Sequence, residues 1–205
     1  MLIIYKITNF SRIITQKKDY FCKNFSFMRK LTMPELNRLN VTDYHNVTKL
    51  PVVIVLDNVR SMENVGSFFR TADAFRIGAI YLCGITARPP HREIHKTALG
   101  AEDSVSWKYY KTALEAVEEL KTEGYEVLAV EQVEHSTKLQ TFQAEKGKRY
   151  AVVLGNEVKG VHQEVVDACD GCLEIPQLGT KHSMNVSVTA GIIIYKFAEQ
   201  LLLLL

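Results

Sequence analysis

The sequence predicts an α/β protein, an open parallel sheet covered by helices. From Pro51 onward, short β-branched runs alternate with helical stretches, which is the element order of α/β domains. Those runs are apolar nearly throughout, as strands are when both faces of a sheet are covered. Composition agrees. The 205 residues are 47% hydrophobic and 23% charged, with 11 Gly and 5 Pro. That is one ordinary domain able to bury its own core, and it excludes a disordered or collagen-like chain.

Residues 1–27 mix β-branched, aromatic and basic residues with no strand or helix period. They also lack the apolar core and cleavage site of a secretory signal. Met28 opens the polar stretch MRKLTMPEL, which reads as a natural start. The expected division is an extension over 1–27 outside the fold, a short lead-in over 28–50, and the α/β domain over 51–205. Strands are expected at 52–56, 79–83, 126–130, 150–154 and 172–175. Helices are expected at 62–75, 113–123, 162–168 and from 184 to the C-terminus.

In the first of these helices, Val65, Phe68, Phe69, Ala72 and Phe75 fall on one stripe, the core-facing side. Ser61 is placed to cap it; Asn64 lies at the stripe's edge and Arg70 nearly opposite. The last helix is apolar at nearly every angle from Val186, interrupted only by Lys196, Glu199 and Gln200. Such a helix is buried all round or shared with a partner. Lys196 and Glu199 near its middle, with Ser187 and Thr189, argue against a membrane span.

The net charge of +2 is unevenly spread. Residues 1–30 hold seven basic groups and one acidic group, so the remainder carries 18 basic and 22 acidic groups. Affinity for nucleic acid must then come from a local patch. Arg60, Arg70, Arg76, Arg88, Arg92 and Lys96 form one candidate, against Glu63, Asp73 and Glu93. Four cysteines at unequal spacings do not make a disulfide framework and point to a reducing compartment, with the cytoplasm the expected location.

Cys169 and Cys172 form a CxxC without the second pair or histidines that a zinc site needs, so no metal site is expected. No GxGxxG follows an early strand, which argues against a Rossmann dinucleotide site. The glycines fall late instead, in Leu154-Gly155-Asn156-Glu157-Val158-Lys159-Gly160 and in Ile175-Pro176-Gln177-Leu178-Gly179. Both loops follow strands, and an open α/β sheet binds its ligand at the C-terminal ends of its strands.

Three segments in order are more specific. They are residues 57–72, with Asn64 and Arg70; Leu154-Gly155-Asn156-Glu157 with Gly160; and Ile175-Pro176 with Ser183-Met184-Asn185-Val186-Ser187-Val188. Together they resemble the three motifs of the SpoU class of RNA ribose 2′-O-methyltransferases, in the SPOUT superfamily, and the likeness runs over 51–198. The resemblance implies a C-terminal deep trefoil knot, a homodimer and S-adenosylmethionine as cofactor. Its cofactor positions fall on Val130, Gly155, Glu157, Gly160, Ile175, Pro176, Leu178, Ser183, Met184 and Asn185. The family usually has Met where this chain has Leu178 and Leu where it has Met184, swaps that keep volume and apolarity.

The resemblance places catalytic positions at Asn64, Arg70, Glu157, Ser183 and Asn185. A guanidinium stays protonated and is a poor base. Arg70 is therefore expected to grip the phosphate beside the target ribose and to stabilise developing negative charge. Asn64, Ser183 or Asn185 would orient the hydroxyl. Arg60, Arg70, Arg88, Arg92 and Lys96 are the expected RNA contacts. The expected substrate is tRNA or rRNA, with tRNA favoured because at most about 50 residues precede the domain. A SpoU-like RNA-binding protein without catalysis is the alternative.

Overall fold

A computed structural model describes residues 29–203; the expected extension over 1–27 and the last leucines lie outside them. Compact units divide after Leu39. In the first, a 3₁₀ turn at Pro34–Leu36 is held by Arg29, whose guanidinium lies 2.6 Å from the Glu35 carboxylate.

The second unit is the α/β body. Its strands are β1 (Leu50–Asp57), β2 (Ile77–Cys83), β3 (Trp107–Tyr110), β4 (Tyr125–Val130), β5 (Thr137–Lys138), β6 (Arg149–Leu154) and β7 (Gly171–Glu174). They form one sheet in the order β3-β2-β1-β6-β4-β7-β5. Every pairing is parallel. The helices are α1 (Val41–Asn46), α2 (Met62–Ala74), α3 (Arg92–Ala98), α4 (Ala101–Ser104), α5 (Ala113–Thr122), α6 (Gln163–Ala168) and α7 (Val186–Ala198).

The unbroken apolar run of β1 follows from its central place. Val52, Ile54 and Leu56 point into one core with α2 and α7, while Val53 and Val55 point into a second core with α5 and α6. Fully burying each such side chain contributes about 1.5–3 kcal/mol, an upper figure because the unfolded chain already shields some of it. In α2 the expected stripe is buried at Val65, Phe68, Phe69 and Ala72. The Ser61 Oγ accepts from the Asn64 N–H at 3.2 Å as the helix cap. Gly66 is there for close approach: a Cβ on it would strike the Ile94 carbonyl and the Thr97 hydroxyl of α3.

Several elements differ from expectation. β3 and β5 were not expected, because both are short and border the sheet, where only one neighbour sets the pattern. The short α1, α3 and α4 were also not expected. The last helix starts at Val186 instead of 184, because the Asn185 side chain accepts from the N–H groups of Ser187 (2.8 Å) and Val188 (3.3 Å) as its cap. Ala190, Ile193, Ile194, Phe197 and Ala198 are buried, but Val188, Ile192 and Tyr195 stand exposed along one face. No helix among the described residues is long and apolar enough to cross a membrane.

Candidate functional site

A cavity of about 350 Å³ opens at the C-terminal ends of β4, β6 and β7. Val130, Leu154, Leu173, Ile175, Met184 and Val186 supply apolar lining, and Glu131, Glu157 and Glu174 supply carboxylates. The size falls within the ~300–1,000 Å³ of small-molecule sites.

The loop after β6 doubles back on itself. Asn156 and Gly160 exchange backbone hydrogen bonds at 3.0 and 2.9 Å. A Cβ built on Gly155 would lie 2.1 Å from both the Gly160 carbonyl carbon and the Val161 nitrogen, so only glycine fits that crossing. Gly160 has φ +69°, in the left-handed region, and the Glu131 carboxylate accepts from the Val161 N–H at 3.1 Å. The end of β4 thereby holds the end of the β6 loop.

A chain of polar contacts joins the three sequence motifs. Glu157 accepts hydrogen bonds from the N–H groups of Arg60 and Ser61, each at 3.0 Å, and from the Asn64 amide at 3.0 Å. The Asn185 amide in turn donates to Asn64 Oδ1 at 3.1 Å. Burial would raise the pKa of the Glu157 carboxyl. The donors from Arg60, Ser61 and Asn64 outweigh that burial and hold it below the usual carboxylate value. Glu157 is thus an ionised acceptor that fastens the start of α2 to the β6 loop.

Sequence reasoning missed a second set of ties. Asp57, at the end of β1, is 1% exposed, and its Oδ2 accepts from the His162 N–H at 3.0 Å and meets His162 Nδ1 at 2.8 Å. The Asn156 amide donates to the Asn58 carbonyl at 2.7 Å. A carboxylate closing an apolar strand was the available signal for Asp57, since such a group must find donors inside. Glu131, Asn156 and His162 gave none, because their partners are distant in sequence.

Of the expected cofactor positions, Val130, Gly155, Glu157, Gly160, Ile175, Ser183 and Met184 line the cavity. Pro176 is exposed and Leu178 wholly so, and neither is in the wall. Among the described residues no element packs over that loop to turn Leu178 inward. Asn64 and Asn185 are not in the lining; they bond directly to each other, and Asn64 bonds in turn to Glu157, which is part of it. Arg70 is exposed and has no hydrogen bond or ion pair among the described residues. Arg60 and Arg92 are exposed; Arg88 lies over the Tyr109 ring at 4.2 Å; Lys96 pairs with Glu93 at 2.8 Å. Burial pushes the Cys169 thiol up to about 12, and Cys172 is raised for the same reason. Among the described residues no three His, Cys, Asp or Glu side chains cluster as metal ligands would.

Known proteins resemble this chain in both sequence and fold. The family model described as "SpoU rRNA Methylase family" matches residues 51–195. "23S rRNA (guanosine-2'-O-)-methyltransferase RlmB" of Neisseria meningitidis serogroup B is 27% identical over 80% of this chain, which spans 65% of that relative. An "Uncharacterized tRNA/rRNA methyltransferase" of Borreliella burgdorferi is 26% identical, covering 94% of this chain and 88% of its own length. The crystal structure of an AdoMet-bound rRNA methyltransferase from Sinorhizobium meliloti matches with a TM-score of 0.70 at 25% identity, covering 78% of this chain and 60% of that one.

Proposed function

Because the chain belongs to the SpoU rRNA methylase family, we propose that it transfers a methyl group from S-adenosylmethionine to a ribose 2′-hydroxyl of tRNA or rRNA. The observation that carries this reading is the Glu157–Asn64–Asn185 chain, which gathers all three motifs at the cavity. The neighbour from Sinorhizobium meliloti binds AdoMet by its own description.

The cavity residues fit that cofactor. Apolar walls from Val130, Leu154, Ile175 and Met184 suit an adenine ring, and the crossing at Gly155 brings backbone groups to the cavity's edge. Glu131, Glu157 and Glu174 make the lining acidic, which suits a ligand carrying sulfonium and ammonium charges. When bound, the cofactor supplies an electrophilic methyl group.

The chain's own residues then divide the work. Glu157 accepts from three donors, all at the start of α2. It acts as a positioning residue. Asn64 spends its amide on Glu157 and one side of its carbonyl on Asn185. Ser183 is exposed at the cavity and bonds to no described residue, so its hydroxyl is free to orient the ribose. The Arg70 guanidinium grips the adjacent phosphate and stabilises negative charge that develops on the ribose oxygen.

The reading includes a trefoil knot through the loops at 155–160 and 175–185, and a homodimer. The exposed stripe of Val188, Ile192 and Tyr195 on α7 supports a dimer, since one helical face repeats at this spacing. In this reading Arg70 serves the partner's cavity. Incubating the protein with labelled S-adenosylmethionine and total RNA tests the reading: label should enter RNA. RNA that binds without taking label would favour the non-catalytic alternative.

A further inference from the structure

A second cavity, about 560 Å³, lies at the β3 edge of the sheet. Its lining includes Pro89, Pro90, Arg92, His95, Glu102 and Trp107. Trp107 is the sole tryptophan of the sequence. It is half-buried, and it shares a strand face with Tyr109, over which the Arg88 guanidinium lies at 4.2 Å. The Glu102 side chain is 9% exposed; Oε1 lies 2.5 Å from His95 Nδ1, while Oε2 is buried with no hydrogen-bond partner among the described residues. His95 is 67% exposed.

Helix α2 spans the ground between this cavity and the first. Its start is bonded to Glu157 in the first cavity's wall. Near its end, Asp73 accepts from Ser104 at 2.6 Å, in the same short helix α4 that supplies Glu102 and Asp103 to the second cavity. Asn64 and Asp73 are separated by about 14 Å of helix, and Arg70 lies between them.

We propose that this second cavity takes one unstacked RNA base bearing an exocyclic amino group. The base stacks on Trp107 and donates to Glu102, and its phosphates meet Arg88 and Arg92. This rests on the chain's being an RNA-binding enzyme. Single-stranded RNA is read by splaying bases onto aromatic side chains and hydrogen-bonding their edges. An unsatisfied buried carboxylate oxygen is a costly feature that an arriving donor relieves. A carboxylate accepts from the amino group of cytosine and is repelled by the carbonyl that uracil has in its place. His95, which meets Oε1, is the exposed neighbour whose rotation would open the carboxylate to the amino group.

The test compares short oligocytidine with oligouridine, both end-labelled, reading binding by anisotropy and stacking by Trp107 emission. Oligocytidine should quench Trp107 with the midpoint seen in anisotropy, and oligouridine should bind about tenfold more weakly. Trp107→Ala should lower oligocytidine affinity about tenfold, the loss expected for one stacked base, while Trp107→Phe retains most of it. Glu102→Gln leaves Trp107 in place and should erase the preference for cytidine; S-adenosylmethionine affinity should be unchanged in all three. RNA binding with unaltered Trp107 emission, or equal affinity for the two oligomers, would overturn the proposal alone. Failure of both oligomers to bind would likewise overturn the proposal, whereas failure of total RNA to bind or take label would overturn the RNA methyltransferase reading beneath it.

Discussion

Replacing Gly155 by alanine places a methyl group where the β6 loop crosses its own return. The added carbon would sit 2.1 Å from the Gly160 carbonyl carbon and the Val161 nitrogen. Ordinary carbon contacts are about 3.5–4.0 Å, so the two passes must part by more than about 1 Å. Backbone atoms cannot swing aside as a side chain does. Parting them strains the pair of hydrogen bonds between Asn156 and Gly160, each contributing about 0.5–1.5 kcal/mol. Overpacking adds about 1–3 kcal/mol, for a total of about 2–6 kcal/mol. Part of this is released by opening the loop, which widens the cavity wall. Gly155→Ala should therefore bind S-adenosylmethionine at least about tenfold more weakly by calorimetry. It should also melt at least about 4 °C lower. Gly179→Ala is the control, because a Cβ there meets nothing within 4 Å. A Gly155→Ala protein with wild-type affinity and melting temperature would refute the steric reasoning.

Other outcomes follow from the same geometry. Arg70→Ala should still bind cofactor and dimerise but lose most turnover, because a phosphate grip acts mainly in the transition state. Mixing it with Gly155→Ala should restore part of the activity if each site draws Arg70 from the partner; verified heterodimers without activity would reject a shared site. Asn185→Asp keeps the α7 cap but sets a carboxylate oxygen against Asn64 Oδ1 in place of the N–H, so both kcat and the melting temperature should fall; wild-type values of both would contradict this. The Glu157 pKa is lowered in the folded protein, so its contribution is present above the unfolded carboxyl pKa and is lost as pH falls through the folded value. The melting gap between wild type and Glu157→Gln should accordingly narrow as the solution is acidified below about pH 4.5, and a constant gap would count against the assignment.

Much of the body was legible because it obeys local rules. The apolar run at 52–56 and the α2 stripe each report burial through their own spacing, and both are buried except for Phe75, half-buried at the end of α2. Edge elements were not legible: Trp107–Tyr110 presents mixed exposure along four residues, and Thr137–Lys138 is too short to show a period. The three motifs marked the cavity loops, but the ties that shape those loops join residues about a hundred positions apart, as Asp57 to His162 does. No window along the chain contains both partners. Glu157 illustrates the difference. Its motif marks it as functional, and only the fold shows that its carboxylate is tied by three donors to the start of α2.

The central claim is that the cavity and its motif residues serve methyl transfer to a ribose hydroxyl. The most direct measurement is nucleoside analysis by mass spectrometry of RNA methylated by the purified protein with isotopically labelled S-adenosylmethionine. Label should appear on the ribose of a 2′-O-methylnucleoside and be lost with Arg70→Ala. Label on a base, or in no nucleoside, would contradict it.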